Sequence, residues 1–305
     1  MFPQNYRDNI MNTLRLGFTD TFGAIENFFT KILEEEYVVV RDNENPEYLI
    51  FGDKNFGNNN VNYKNCIKIF YTGENERPWN YQCHYSITFD HQEFEGRNFR
   101  LPLYVIYDYD NHNRNQPTPN TSTIRRMPND LLEKKDFCSF VVKNGGCEKR
   151  NNWFNILSAY KPVASGGPLF NNIGYILPRG DESVQSKLNF LNSYKFNLCF
   201  ENSSYPGYAT EKVYEALCAK TIPIYWGSPT IECDFNTKAF LNWHDFGDDS
   251  SFFEAIREID ENPDMYEEMF LQPMFSDYQK VNKFFDKKKF LNWFNVNVYK
   301  GTQSG

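Results

Sequence analysis

Cysteine pairs and clustered histidines are missing from this sequence. Its seven cysteines are odd in number and scattered, and no two of them form a CxxC pair. Neither a disulfide framework nor a zinc site of the usual spacing is therefore expected. The four histidines share no i, i+4 spacing that would place two of them on one helical face, which argues against a metal site built on histidine.

Long apolar runs and an excess of positive charge are missing too. No run of about 20 apolar residues is available to span a bilayer, and the N-terminal residues lack the charged-then-apolar order of a secretion signal. These features predict a cytoplasmic protein. The formal net charge of −8 argues against a nucleic-acid binder, which needs a basic surface or stripe to meet phosphates.

Aromatic residues, in contrast, are abundant. The 305 residues include 29 Phe and 20 Tyr, so the chain has far more apolar material than a disordered protein. The length suits two domains, each with a core of its own. A polar, proline-containing stretch at 111–130 predicts a loop or linker between them. The predicted domains are residues 1–132 and 133–285, followed by a ring-rich terminal segment at 286–305.

The first domain has the pattern of an α/β fold. A helix is predicted near the N-terminus, with five apolar residues on one face: Ile25, Phe28, Phe29, Ile32 and Leu33. Short apolar runs bounded by Asp, Asn or Gly then predict strands at Tyr37–Val40, Tyr48–Phe51, Cys66–Tyr71, Tyr85–Phe89 and Tyr104–Tyr107.

The second domain alternates strands and helices. Strands are predicted at Phe137–Val142, Phe196–Glu201 and Ile222–Trp226. Helices are predicted between them, from about 148 to 160 and from about 210 to 220. This alternation is typical of a parallel sheet with helical crossovers, and it predicts that ligands bind beyond the carboxyl ends of the strands.

One candidate ligand site follows the strand at Phe196–Glu201. Thr210 is placed to cap the next helix, and Lys212 falls in the first turn of that helix. A cation there opposes the helix dipole by up to about 1 kcal/mol, a cost that a bound phosphate would remove. The alternative is a solvated lysine paired with Glu211.

The preceding strand is followed by a similar pattern. The flexible Asn-Gly-Gly loop at 144–146 leads to Arg150 in the opening turn of the next helix. Cations at two helix N-termini suggest a diphosphate site, because arginine offers a bidentate fork and lysine a point charge. Surface charge on two unrelated helices is the alternative. Tyr175 follows several glycines on a further loop, where a base or a ribose could rest.

A candidate general base lies in the first domain. The strand at Cys66–Tyr71 runs into Thr-Gly-Glu-Asn-Glu, which places Glu74 and Glu76 at the carboxyl end of a strand, facing the expected cleft between domains. A carboxylate there could take a proton from an incoming hydroxyl. The alternative is a pair of ordinary exposed loop glutamates.

Two segments resemble a known family. FYTGENERP, at 70–78, and YKFNLCFENSSYPGYATEKVYEALCAKTIPIYWGSP, at 194–229, resemble the bacterial α1,3/α1,4-fucosyltransferases of glycosyltransferase family 10. A looser match extends from about Tyr37 to Phe246. The resemblance implies an α/β fold of the GT-B type, in which two Rossmann-like domains face each other across a cleft and the C-terminal one holds the sugar nucleotide. It also implies GDP-L-fucose as the donor substrate.

The motif positions imply roles for particular residues. By resemblance, Arg150 and Lys212 neutralise the diphosphate. Glu74 is the implied general base, with Glu76 as its rival, and Glu211 is the second catalytic candidate, in contact with the fucose or the ribose. The remaining implied donor contacts are Asn202, Tyr208, Tyr71 and Gly73.

The implied chemistry is an inverting single displacement. The 3- or 4-hydroxyl of N-acetylglucosamine, in an N-acetyllactosamine or lacto-N-biose acceptor, attacks fucose C1 and gives a Lewis-antigen-like product. The scheme requires no metal, although Mn²⁺ or Mg²⁺ could stimulate product release. Two other functions stay open. One is a metal-dependent sugar transferase that uses Asp108 and Asp110, a DxD pattern at the end of a predicted strand, and the other is a carbohydrate-binding protein without enzymatic activity.

The C-terminal segment combines basic residues and rings. Three consecutive lysines at 287–289 stand among five aromatic residues. The favoured interpretation is a terminal helix that packs back on the N-terminal domain. The alternative is peripheral contact with an anionic inner membrane.

Overall fold

Two compact units make up the chain, and each contains a parallel β-sheet of its own. Unit 1 comprises Met1–Leu101 and Asp286–Gly305, and unit 2 comprises Pro102–Phe285. The computed structural model describes residues 12–107, 126–134, 136–178, 183–276 and 286–299.

The division between the units falls earlier in the chain than residue 132, the position that the sequence predicts. The described residues just before that position are held by unit 2. The guanidinium of Arg126 donates to the carbonyl of Ala239 at 3.3 Å, and Lys220 pairs with Asp130 at 2.7 Å. Contacts between residues distant in sequence therefore decide to which unit this segment belongs.

The sheet of unit 1 has six strands: β1 (Asn12–Thr19), β2 (Tyr37–Arg41), β3 (Tyr48–Phe51), β4 (Ile67–Tyr71), β5 (Tyr85–Thr88) and β6 (Asn98–Arg100). They lie in the order β2-β1-β3-β4-β5-β6. Every residue of β3 is buried and so are the last four of β4, as expected for central strands covered on both faces. The loop that contains Glu74 begins where β4 ends.

The helix α1 (Gly23–Leu33) and the C-terminal helix (Lys287–Trp293) share the core of unit 1. The five apolar residues predicted on one face of α1 are all buried, which confirms the helical periodicity. Phe290 of the C-terminal helix is fully buried, and its ring centroid lies 5.9 Å from that of Phe29. The ring of Phe290 is therefore covered by the core of unit 1. Within the described parts of the chain, no helix has the length and apolar character needed to cross a bilayer.

One predicted strand is wrong. Residues 103–107 are helical and belong to unit 2. The N–H of Val105 donates to the carbonyl of Pro102 at 3.0 Å, and the hydroxyl of Tyr104 donates to the buried Asp234 at 2.8 Å. Proline is favoured in a first helical turn, so the apolar residues that follow it form a helical face and not a strand.

The sheet of unit 2 has five strands: β7 (Asp136–Phe140), β8 (Val163–Ser165), β9 (Tyr194–Phe200), β10 (Ile222–Trp226) and β11 (Leu241–Asn242). They lie in the order β11-β10-β9-β7-β8, and all adjacent pairs are parallel, as the sequence predicts. The helices are α2 (Glu148–Tyr160), α3 (Ser183–Asn192), α4 (Glu211–Cys218), α5 (Asp249–Glu261) and α6 (Pro263–Phe270). Because α2 follows β7 and α4 follows β9, two helix N-termini lie at one edge of the sheet.

Candidate functional site

Glu201 is the first residue of the loop that follows β9. Its fully buried carboxylate accepts hydrogen bonds from the backbone N–H of Thr210 at 2.8 Å, from the Thr210 hydroxyl at 2.7 Å and from the Lys212 ammonium at 2.9 Å. These donors satisfy a carboxylate that would be costly to bury alone. The loop is thereby tied to the first turn of α4.

The predicted capping role of Thr210 is wrong. Thr210 occupies the N-cap position of α4, but its side chain accepts no hydrogen bond from the helix backbone. Its hydroxyl donates to Glu201, and its oxygen accepts from Lys212 Nζ at 2.8 Å. The Thr210 hydroxyl bonds to the carboxylate and the ammonium rather than to a backbone N–H of α4, because charge-assisted hydrogen bonds are about twice as strong as neutral ones.

Lys212 is held between two carboxylates. Its Nζ lies 2.9 Å from Glu201 Oε2 and 3.5 Å from Glu211 Oε1. Burial lowers the pKa of Lys212, but the two carboxylates raise it more, so the net pKa lies above the ordinary value and the ammonium stays charged. Burial raises the pKa of Glu211, but Lys212 and Lys187 together bring it down to about 2. Lys212 and Glu211 are thus both ionised at neutral pH.

A second buried ion pair extends this cluster. Lys187 of α3 pairs with Glu215 of α4. Burial raises the pKa of Glu215 and of Glu201 above the ordinary value, and the lysines oppose it. Three cations and three carboxylates thus lie together, and their contacts hold the cations in fixed positions. The six groups are Arg150, Lys187, Lys212, Glu201, Glu211 and Glu215.

Arg150 reaches from the first turn of α2 towards the end of β9. The residue is 1% exposed, and its guanidinium donates to the carbonyls of Asn144 at 2.5 Å and Phe200 at 3.4 Å. Burial lowers its pKa. The Nε atom finds no hydrogen-bond partner among the described residues. An unsatisfied buried N–H costs about 1–3 kcal/mol, so a bound anion that accepts a hydrogen bond from Nε would remove this cost.

Asn202 and Tyr208 meet within the loop after β9. The hydroxyl of Tyr208 donates to Asn202 Oδ1 at 2.8 Å, and the Tyr208 side chain is 1% exposed. Between them Gly207 adopts a φ of 82°, a left-handed conformation that favours glycine. Tyr208 also interacts electrostatically with Arg150, so this loop lies beside the charge cluster.

Tyr175 lies in a different environment. Its side chain is 57% exposed, and its carbonyl accepts a hydrogen bond from Asn171 at 2.8 Å. Its ring interacts electrostatically with Tyr194, the first residue of β9, whereas Glu201 follows the last residue of that strand. The described contacts do not join Tyr175 to Arg150 or Lys212.

In unit 1, the loop after β4 is organised by a buried acid. The hydroxyl of Thr72 donates to Asp53 Oδ2 at 2.8 Å, and the Thr72 oxygen accepts from the backbone N–H of Glu74 at 3.0 Å. The N–H of Glu76 donates to the carbonyl of Glu74 at 2.7 Å. Gly73 lies inside this tight turn. The two glutamates are therefore held on one short, fixed segment.

The two glutamates have different surroundings. Glu76 is engaged by a cation, because its Oε1 lies 2.9 Å from Lys54 Nζ. Glu74 has backbone contacts to Thr72 that fix its position after β4. The ion pair holds the carboxylate of Glu76 beside Lys54.

Arg77 anchors the same loop from its far end. Its buried guanidinium pairs with the buried Asp90, donates to Asn75 Oδ1 at 2.6 Å, and lies 4.4 Å above the ring of Phe89. Tyr71 packs inward, with its ring centroid 5.4 Å from that of Phe29 in an edge-to-face contact. The predicted donor residue Tyr71 is therefore mostly buried in the core of unit 1.

Sequence reasoning missed Glu201, Asp53 and Arg77. Glu201 had a visible signal, since it is an acidic residue directly after the apolar end of β9 at 198–200. Among the described residues, no group of three or more His, Cys, Asp or Glu is arranged to hold a metal ion. Asp108 and Asp110, the alternative metal ligands, and most of the loop predicted at 111–130 lie outside the described residues.

Two family models match the chain. Residues 15–107 match the N-terminal domain of alpha-(1,3)-fucosyltransferase FucT. Residues 131–295 match the C-terminal part of glycosyltransferase family 10 (fucosyltransferase). The second match alone covers more than half of the chain.

This chain belongs to glycosyltransferase family 10.

Similar sequences include a bacterial and an animal fucosyltransferase. The chain is 36% identical over 260 residues to alpha-(1,3)-fucosyltransferase FucT of Helicobacter pylori, which covers 75% of this chain and 51% of that protein. It is 38% identical over 142 residues to alpha-(1,3)-fucosyltransferase B of Drosophila melanogaster, covering 42% of this chain and 31% of that one. The chain thus spans about half the length of the Helicobacter relative.

Solved structures of family 10 proteins share the architecture. An alpha1,3-fucosyltransferase with GDP matches with a TM-score of 0.75 at 28% identity, covering 98% of this chain and 94% of that chain. A structure with GDP-fucose matches with a TM-score of 0.73 at 27% identity, covering 97% and 93%. The two α/β units of this chain, each with a parallel sheet, are therefore of the GT-B type, as the sequence predicts.

Proposed function

We propose that this family 10 member is an α1,3-fucosyltransferase that uses GDP-fucose as its donor. The observation that carries the proposal is the buried guanidinium of Arg150, which lies beside the fixed ammonium of Lys212. Among the described residues it bonds only to carbonyls, and its Nε has no partner there. Two such cations at two helix N-termini suit a diphosphate. The solved relatives that contain GDP and GDP-fucose support the identity of the nucleotide.

In the proposed donor site, Arg150 and Lys212 bind the diphosphate. Asn202, Tyr208 and Glu211 contact the ribose or the fucose. The hydrogen bond from Tyr208 to Asn202 and the ionised carboxylate of Glu211 leave each group fixed before the donor arrives. We also propose that Gly73 of unit 1 borders the fucose, whereas the burial of Tyr71 limits it to supporting that turn.

The proposed reaction is a single displacement that inverts the configuration at fucose C1. A hydroxyl oxygen of the acceptor forms the new bond to C1 while the bond from C1 to the phosphate oxygen breaks. Glu74 takes the hydroxyl proton, and GDP leaves with its added negative charge against Arg150 and Lys212. A positioned base contributes about 10²- to 10⁴-fold, and preorganised charge at the leaving group contributes on a similar scale.

The proposed acceptor is N-acetylglucosamine within an N-acetyllactosamine-type glycan, with attack through its 3-hydroxyl. Lacto-N-biose, attacked through the 4-hydroxyl, is the second acceptor to compare. The scheme uses no metal, because two protein cations neutralise the leaving group.

The deciding experiment incubates the protein with GDP-fucose and each of the two disaccharides, with and without EDTA. NMR of the product gives the linkage and the configuration at fucose C1. We expect an α1,3 linkage on N-acetyllactosamine, a configuration opposite to that of the donor, and activity that EDTA does not abolish. No transfer to either disaccharide would overturn the proposed activity, retention would overturn the mechanism, and full loss in EDTA would favour the metal-dependent alternative with Asp108 and Asp110.

A further inference from the structure

Trp79 is the most exposed large apolar side chain among the described residues, with 63% of its surface open to solvent. It lies in the 3-10 turn Pro78–Asn80, which follows the loop of the proposed base. Its ring makes an edge-to-face contact with the ring of Phe94, with 6.1 Å between the ring centroids and an angle of 90° between the ring planes. We call the exposed ring of Trp79, together with the partly buried ring of Phe94 that packs against it, the Trp79 platform.

The residues before Trp79 make the platform rigid. Arg77 is buried against Asp90 and the ring of Phe89, and Pro78 is buried with its φ fixed by the ring. Asp90 is fixed in turn by the hydroxyl of Thr88 at 2.8 Å. An exposed indole on such a turn loses little conformational entropy when it binds a ligand, because only its own two side-chain torsions need to be fixed.

The Phe94 side of the platform is held in a strained turn. Phe94 and Glu95 have φ values of 47° and 60°, a left-handed conformation that costs a bulky residue about 1–3 kcal/mol. The carbonyl of Gly96 accepts a hydrogen bond from Trp293 Nε1 at 2.8 Å, and a Cβ at Gly96 would lie 2.5 Å from Asn297 Oδ1. The C-terminal helix therefore keeps Phe94 beside Trp79.

The platform also lies near the proposed base. Trp79 follows Glu74 by five positions, so even a fully extended chain would place the two residues within about 18 Å of each other. The tight turn at 74–76 and the 3-10 turn shorten this distance further. A ligand on the indole therefore lies within the reach of a short oligosaccharide from the carboxylate of Glu74.

We propose that the Trp79 platform binds a pyranose ring of the acceptor glycan. This inference rests on the proposed function, to which it adds an acceptor subsite. The apolar face of a pyranose presents C–H groups with partial positive charge, which match the negative face of an indole, while the hydroxyl groups around the ring stay hydrated. Arg77 acts as a positioning residue, because one buried anchor fixes both the loop of Glu74 and the platform.

The test measures sugar binding separately from transfer. N-acetyllactosamine binding, in the presence of GDP, is followed by saturation-transfer NMR and calorimetry for wild type, Trp79→Leu and Trp79→Phe. We expect Trp79→Leu to weaken sugar binding and raise the acceptor KM about tenfold, or about 1.4 kcal/mol. Trp79→Phe keeps an aromatic face and should restore most of the affinity. The affinity for GDP and the thermal midpoint should stay unchanged in both variants.

The possible outcomes separate the platform from the activity. Equal sugar binding by wild type and Trp79→Leu overturns the platform, and so does the absence of sugar binding by wild type. A changed sedimentation coefficient in Trp79→Leu with unchanged sugar binding also overturns it, in favour of an interface between copies of the chain. If wild type binds the sugar through Trp79 but transfers no fucose, the platform stands and the proposed activity fails.

Discussion

The loops after β4 and β9 contain the same arrangement of side chains and use it differently. In each, a threonine hydroxyl donates to a buried carboxylate, from Thr72 to Asp53 in unit 1 and from Thr210 to Glu201 in unit 2. The difference lies in what the threonine oxygen accepts. In unit 1 the threonine oxygen accepts a hydrogen bond from the backbone N–H of Glu74. In unit 2 it accepts a hydrogen bond from the ammonium of Lys212.

This difference suits two kinds of chemistry. In unit 2 the acid and the hydroxyl fix a cation, which must be in place before charge develops on a leaving group. In unit 1 they fix a turn of backbone and leave the side chain of Glu74 only partly buried, as a base must be to reach a substrate proton. One local arrangement can thus position either a charge or a loop.

The largest effect is expected from Glu74→Gln, which breaks the function of the unit 1 loop without changing its shape. We expect kcat to fall at least about 10²-fold, because the amide cannot accept the proton. The affinity for GDP-fucose should be kept. Steady-state kinetics and calorimetry measure the two quantities.

The matched control for this prediction is Glu76→Gln, two residues away in the same turn. We expect it to keep most of the turnover, because the carboxylate of Glu76 is engaged by Lys54. A large loss in Glu76→Gln with none in Glu74→Gln would show that the base is Glu76.

The next largest effect is expected in the unit 2 cluster. Lys212→Ala and Arg150→Ala should each weaken GDP binding by more than about tenfold in calorimetry, because each removes a cation from the diphosphate. Lys212→Ala also leaves Glu201 buried without its cation, which should lower the free energy of unfolding by about 3–5 kcal/mol.

Lys220→Ala is the control within the same unit. It removes the more exposed ion pair to Asp130, so it should lower the free energy of unfolding by at most about 1 kcal/mol and leave GDP affinity unchanged. Unchanged GDP affinity in both cluster variants would refute the assignment of the donor site.

A smaller and more diagnostic effect is expected from the two threonines. Thr210→Val should weaken GDP binding about fivefold, since one hydrogen bond of about 1 kcal/mol no longer orients Lys212. Thr72→Val should leave GDP binding unchanged and lower kcat by a similar factor, because it loosens the turn of Glu74. If both variants changed the same parameter, the distinction between the two loops would be lost.

The last effect is expected from acid and concerns the stability of the fold. The folded-state pKa of Glu211 is lowered from 4.5 to about 2, so its contribution to stability is present above pH 4.5 and is lost as the pH falls through that window. The loss is at most about 1.4 kcal/mol per pH unit. Thermal unfolding of wild type and Glu211→Gln between pH 5.5 and about 3 should converge towards the acid end. A constant difference over that range would contradict the assignment.

Local patterns predicted several elements of the fold well. The buried face of α1, the bounds of α2 and those of β10 follow from periodicity and flanking polar residues. The local pattern does not predict β1, because Gly17 interrupts its apolar residues. Glycine at this position allows a close approach of the backbone at Asp42, since a Cβ there would lie 2.8 Å from the carbonyl of Asp42.

The candidate cations were predictable because they break a local rule. Arg150 and Lys212 sit where the helix dipole disfavours them, and such a conflict points to another partner. The same local reasoning failed for Thr210. A cap is the best local use of its hydroxyl, but Glu201, nine residues earlier, folds back beside it and offers a stronger bond.

The sequence by itself determined which residues are apolar, where strands and helices alternate, and which motif segments carry the family resemblance. Only the tertiary structure decided which carboxylates neutralise Lys212 and what covers the rings at the C-terminus. Phe290 contacts Phe29, and Trp293 donates a hydrogen bond to the carbonyl of Gly96, 197 positions earlier in the chain. Periodicity tells which face of an element avoids water, but hydrophobic attraction has no direction, so the partner is chosen by packing of the whole unit.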